Sequence, residues 1–260
     1  MRAIGVDLAW GRNGRTGLCA LEGDRVLGSA TVRTDAEIDA WITQWVTRLT
    51  DDVVVGIDAP LVVPNRRGGR PCDAVFCAAL AAREAGVYPA NLGLPAFRGG
   101  VRGAALARRL RLTLDPAACA VAPRRAAIEV YPHSAMVSLF GLARTLKYKR
   151  KHAPAVRAAA FVELLDGLRG LTAADPPLDV KSSPRWAALE AAVAGGRGGR
   201  VEDELDAYVC AYAAVYHCRW RGRRSLVVGD VRRGYIVTPV DGAAEQALRA
   251  AAGRRGVRIG

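Results

Sequence analysis

The sequence predicts an α/β protein built on one mixed sheet, an antiparallel three-stranded meander extended by parallel strands and flanked by helices. Three observations carry this. The chain opens with three closely spaced apolar runs, "RAIGVDLA", "TGLCALEG" and "RVLGSATVR", and Glu22-Gly23-Asp24 between the last two is a hairpin signal. "VVVGIDAPL" (53–61) is continuously apolar, as a strand buried on both faces must be. "VEDELDAYVCAYAAVYHCRW" (201–220) reads as the longest helix.

The remaining elements follow in order. Residues 2–9, 16–23 and 25–33 are the meander strands. Asp35 then caps a helix over 36–49, where Ile38, Trp41, Ile42, Trp45 and Leu49 recur at helical spacing. After the strand at 53–61, residues 62–125 are rich in Arg, Gly and Pro and interrupt the alternation. They read as an insertion after the fourth strand, with helices at 72–86 and 103–111. "AAIEVYP" (126–132) restores a strand, and Ser134 caps a short helix to 142. A helix from Pro154 to 168, a loop at 172–184 and a helix at 185–194 lead to the Gly-rich joint 195–199. After the long helix, a hairpin at 226–238 and a helix from 242 complete one domain spanning 1–260. This order of elements is that of the ribonuclease H-like fold.

Composition bounds the class. Hydrophobic residues make up 51% of 260, enough for a sizeable core, and no apolar run approaches the roughly 18 residues of a membrane helix. The N-terminus enters strand pattern without signal-peptide architecture, which predicts a cytoplasmic protein without a membrane partner. Six cysteines form no CxxC pair; Cys210, His217 and Cys218 read as small buried groups on an apolar helix rather than a metal set. The formal charge of +13 points to a polyanionic partner, nucleic acid above all. Only four of the 38 basic residues are lysines, so part of the excess reflects a coding preference for arginine. Basic residues gather at 98–111, 144–157 and 219–224.

Acidic residues stand where apolar ones should dominate. Asp7 ends the first strand, Asp58 lies near the end of the buried strand, Glu129 lies within "AIEVYP", and Asp203 and Asp206 sit three apart on the long helix. Any one of them reads as a capping or hydrogen-bonded carboxylate. Together they repel one another unless a cation intervenes. Hard oxygen donors without His or Cys favour Mg²⁺ or Mn²⁺, and two such ions activate a water and steady the leaving oxygen of a phosphodiester.

The motifs "GVDLAW", "GIDAPLVVPN" with "GRPCD", "EVYPHSAMVSLFGL", "LKYKRK" and "DELDAYVCAYAA" resemble Domain of Unknown Function family 429, described as predicted nucleases of the ribonuclease H-like fold. The last motif is also similar to the D-x-x-D-A helix of Holliday-junction resolvases, whose acids serve a metal site. The resemblance implies a bridging metal ligand at Asp7, a second-strand ligand at Asp58, and helix ligands at Asp206 and Asp203. Glu129 is either a fourth, catalytic ligand or a residue that orients Arg or Lys side chains. His133, a lone histidine after a proline, reads as structural. Lys147, Tyr148, Lys149, Arg150 and Lys151 read as phosphate contacts around a stacking tyrosine, against the alternative of a solvated charge run. Trp10 reads as a core residue and a candidate wall of the site.

The expectation is a divalent-metal-dependent nuclease that cuts DNA or RNA by a two-metal mechanism. An actin-like or sugar-kinase-type phosphotransferase is a rival, since "AWGRNGRTG" (9–17) has phosphate-loop glycines; no second copy of such a loop occurs. A non-catalytic nucleic-acid-binding module is the other. Asp7's partner is expected to be a metal ion, not Arg12 or Arg15.

Overall fold

The computed structural model describes residues 1–11 and 14–260. Arg12, weighed above as a partner for Asp7, lies outside them. Strands β1 (Arg2–Asp7), β2 (Thr16–Glu22) and β3 (Arg25–Val32) form the meander. Strands β4 (Val53–Ile57) and β5 (Arg125–Glu129) extend it in parallel, giving the order β3-β2-β1-β4-β5. Val6 lies opposite Ile57, and Ile57 opposite Glu129.

Alternation along the strands sorts their residues onto two faces. Ile4, Val6, Leu18, Val55, Ile57 and Ala127 face helices α1 (Asp35–Thr43) and α3 (Arg102–Arg109), where Ile38, Ile42 and Leu106 complete a core. Ala3, Cys19, Val54 and Ile128 face the other way, toward α4 (Pro132–Leu139), α5 (Pro154–Gly170), α6 (Trp186–Ala194) and α7 (Glu202–Trp220). A third core joins α2 (Pro71–Ala79) to the hairpin of β6 (Ser225–Asp230) and β7 (Gly234–Pro239) and to α8 (Gly242–Arg255). A bridge between Val130 and Val237 attaches that hairpin beyond β5.

Helix α7 rests unusually close to the sheet, and three glycines make this possible. A Cβ on Gly17 of β2 would stand 1.7 Å from the Asp203 carbonyl oxygen. On Gly5 of β1 it would stand 1.9 Å from that of Ala207, and on Gly56 of β4 2.3 Å from that of Cys210. A glycine inside a strand weakens it unless another backbone must approach there. Here three adjacent strands each supply one, so α7 crosses them in turn, with Asp203 over β2, Ala207 over β1 and Cys210 over β4.

Several boundaries differ from expectation. Thr34, not Asp35, caps α1 through a capping box with Glu37. The helix stops at Thr43, because Asp51 accepts the N–H groups of Thr47 and Arg48 and turns the chain, leaving Leu49 exposed. Pro132 opens α4, so Ser134 lies inside it and bonds the Tyr131 carbonyl. The segment 195–199 is an ordered turn whose Gly198 packs against the Phe161 ring. Among the described residues no helix is long and apolar enough to cross a membrane.

Candidate active site at the carboxyl ends of β1 and β4

Open parallel sheets place their ligand crevices beyond the carboxyl ends of strands, and Asp7 and Asp58 stand there side by side. The Asp58 amide donates to the Val6 carbonyl (2.8 Å), continuing the ladder by one residue. Both acids share strand parity with Gly5 and Gly56 and so point toward α7. Asp206, on the second turn of α7, points back and is 1% exposed. Its two oxygens accept from the Tyr148 hydroxyl (2.7 Å) and the Lys149 ammonium (2.6 Å). Lys149 also meets Glu202, one turn earlier, at 3.1 Å.

These charges set one another's protonation. Burial, and after it the Asp206 charge, push Asp7 well above the usual carboxylate range, with smaller contributions from Asp58 and Asp203 that Lys149 partly offsets. Burial lifts Asp58 from the ordinary 3.8 to about 7, against the pull of Lys149 and with Asp206 and Glu129 adding to the rise. Burial disfavours the charge on Lys149, yet Asp206 and its neighbours hold it well above the ordinary lysine value. The site therefore has acidic groups in excess of its cation. No described residue donates a hydrogen bond to the carboxylate of Asp7 or Asp58.

The other candidates are placed differently. Asp203 lies over Gly17 and meets Arg15 at 2.9 Å, while Arg15 also donates to the Gly199 and Arg200 carbonyls. Arg15 is thus occupied away from Asp7. Glu129 does not join the aspartates: it has the parity of Ala127 and points to the opposite face. There the Arg70 guanidinium grips it with two bonds of 2.6 and 2.8 Å, and the Leu61 amide adds a third. Arg70 is shared with Asp73 at 2.8 Å. Of the two roles open to Glu129, the geometry matches orientation of an arginine.

The segment 147–151 divides. Tyr148 is wholly buried, packed between His133 and Phe161 with ring centroids 5.4 Å from each. It offers no face to a base, which corrects its reading as a stacking residue, and Lys149 likewise turns inward. Lys147, Arg150 and Lys151 remain toward solvent. His133 bonds Thr145 through Nδ1 (2.9 Å), and burial lowers its pKa to about 4, so it is neutral at pH 7. His217 bonds Ser225 within the core.

Beside Asp58 opens a cavity of about 510 Å³ lined by Trp10, Tyr88, Tyr131, Lys147, Lys149 and Lys151 among others. A second hollow of about 530 Å³ shares Trp10 and Tyr88 as walls.

The donors suit a hard divalent ion in kind, being carboxylates that burial and mutual repulsion leave short of positive charge. They do not form a ready-made cage: among the described residues no three His, Cys, Asp or Glu side chains stand together as a metal set. Asp206 is committed to Tyr148 and Lys149, so an ion would compete with the ammonium for it. Sequence reasoning took Lys149 for a surface phosphate contact and missed Glu202; only the three-dimensional path of the 147–151 loop brings them to Asp206.

No curated protein and no solved structure matches the chain. A family described as "Protein of unknown function (DUF429)" matches residues 5–233, a span that includes Asp7, Asp58, Lys149 and Asp206. The chain belongs to the DUF429 family.

Proposed function

We propose that the chain is a divalent-metal-dependent phosphodiester hydrolase acting on nucleic acid, with a ribonuclease H-like sheet carrying an insertion at 62–125. The observation that carries this is the pair Asp7 and Asp58, aligned on adjacent parallel strands, facing Asp206 and driven toward protonation by burial first and by the neighbouring acidic charge after it, against the pull of Lys149. The order β3-β2-β1-β4-β5 with β2 alone antiparallel to its neighbours supports the fold, as does α7 lying across the face on which the aspartates converge. Such an arrangement costs stability, and binding a dication would relieve it.

In this proposal Asp7, Asp58 and Asp206 hold Mg²⁺ or Mn²⁺. When bound, two such ions would supply an activated water and charge stabilisation at the leaving oxygen. Lys149, once displaced from Asp206, would pair with a non-bridging phosphate oxygen, and Tyr148 would keep Asp206 oriented. Lys147, Arg150 and Lys151 attract the phosphate backbone. Glu129 and Arg70 form a buried pair that fixes α2 against β5, a structural role. His133, neutral and bonded to Thr145, packs Tyr148 in place.

Wild type and Asp7→Asn, purified identically, are to be compared with Mg²⁺ or Mn²⁺ on single-stranded, duplex, hybrid and branched nucleic acids. Hydrolysis by wild type alone is expected; equal hydrolysis by both identifies a contaminant and ends the nuclease reading. ATP binding without nucleic-acid binding would favour a phosphotransferase. Nucleic-acid binding indifferent to metal and to Asp7 would favour a passive module.

A further inference from the structure

We propose that the cavity beside Asp58 receives one unpaired nucleotide of a single strand, its base against Trp10 and Tyr88 and its phosphates at Lys147 and Lys151. The inference rests on the hydrolase reading only for where the reacting phosphate lies. About 510 Å³ is a small-molecule volume. A base locked in a continuous duplex cannot enter such a concavity, whereas an unpaired base has two free faces and can.

The wall has the chemistry of a stacking platform. Tyr88 is 70% exposed, unusual for so large a ring. Trp10 is held by Phe97 at a centroid distance of 5.4 Å, so its ring is already placed. Both rings also line the second hollow, which continues past them toward Gly68, Gly69 and Pro89. Two nucleotide-sized spaces that share these rings suit consecutive residues of a strand better than a free mononucleotide. Of the acids lining the cavity, Asp58 belongs to the candidate metal site, Glu129 is paired with Arg70, and Glu84 pairs with Lys147 at 3.1 Å and Arg144 at 3.3 Å. Lys151 adds a further cation along the lining, while Lys149 is held by Asp206 and Glu202. Stacking supplies affinity indifferent to sequence, and lysines supply phosphate contacts that salt weakens.

The test is fluorescence anisotropy in a chelator-containing buffer, where no cleavage occurs. Its probes are a labelled short single strand, the same sequence as a blunt duplex, and the single strand with abasic central positions. A nucleoside 5′-monophosphate serves as competitor. The single strand is expected to bind about tenfold tighter than either the duplex or the abasic strand. Tyr88→Ala should lose about tenfold on the single strand and leave the duplex unchanged, with Tyr88→Phe restoring it; circular dichroism verifies the fold, which this exposed residue does not hold. Equal binding of the three probes, or a Tyr88→Ala variant that binds like wild type, overturns the inference. A monophosphate competing as tightly as the strand overturns the strand assignment. Metal-dependent hydrolysis without base preference would sink this inference alone. Base preference without hydrolysis by wild type would sink the hydrolase reading alone.

Discussion

Asp58→Asn should make the metal-free protein more stable above pH 7, although it removes a residue of the candidate site. Burial raises the Asp58 pKa from the ordinary 3.8 to about 7. Between those values the folded chain binds a proton that the unfolded chain has released, so stability falls as pH rises through the window. Below pH 4 both states are protonated and the contribution vanishes. A shift of about three units corresponds to about 4 kcal/mol at most. Partial exposure and coupling to Asp7 reduce this to about 2 kcal/mol. The assay is urea unfolding followed by circular dichroism, with chelator present, from pH 5 to pH 8. Wild type should lose stability across that range while Asp58→Asn loses less and exceeds it at pH 8. Added Mg²⁺ should raise the wild type in proportion to RT ln(1 + [L]/Kd) and leave the variant unmoved. A variant less stable than wild type at pH 8 would mean that the Asp58 carboxylate has a stabilising partner, and the charge-deficit argument would fall.

Three further outcomes follow from the same geometry. Lys149→Met removes the cation that Asp206 holds, so thermal melts in chelator should show a loss of about 3 kcal/mol. Mn²⁺ titration should show binding roughly tenfold tighter than wild type, because the competitor is gone, while turnover falls. Gly5→Ala drives a methyl into the Ala207 carbonyl oxygen, 1.9 Å from the position of the new carbon; lifting α7 should cost about 3 kcal/mol in urea unfolding and abolish metal binding. Glu129→Gln leaves Arg70 buried with a weakened partner, and a loss of about 3 kcal/mol in the same measurement is expected. A change within experimental error would show that the pair is not structural.

The strands and α7 were legible because their patterns are strong: apolar runs for β1 and β4, and for α7 the longest stretch of helix-forming sequence in the chain. Signals at the junctions were weaker. Thr34 and Asp35 are both competent caps, and only the Glu37 side chain reaching back to the Thr34 amide settles between them. The meeting of Asp7, Asp58 and Asp206 could be read from the acids breaking apolar patterns. Glu129 breaks such a pattern too, but a shift of one residue in parity sends it to the other face, where Arg70, 59 residues away, takes it. Nothing local announces that pairing. The loop that carries Lys149 to Asp206 is equally invisible, because its path depends on packing Tyr148 against His133 and Phe161. One available signal went unused: Gly5, Gly17 and Gly56 each interrupt a strand, and mid-strand glycines mark places where another backbone comes close.

The proposed divalent-ion site of Asp7, Asp58 and Asp206 can be probed directly. Electron paramagnetic resonance of Mn²⁺ titrated into wild type, Asp7→Asn and Asp58→Asn counts bound ions without reference to any substrate. Saturable binding by wild type is expected, reduced by Mg²⁺ competition and lost in both variants while their folds persist. Undiminished Mn²⁺ binding in Asp7→Asn, or no binding by a folded wild type, would contradict it.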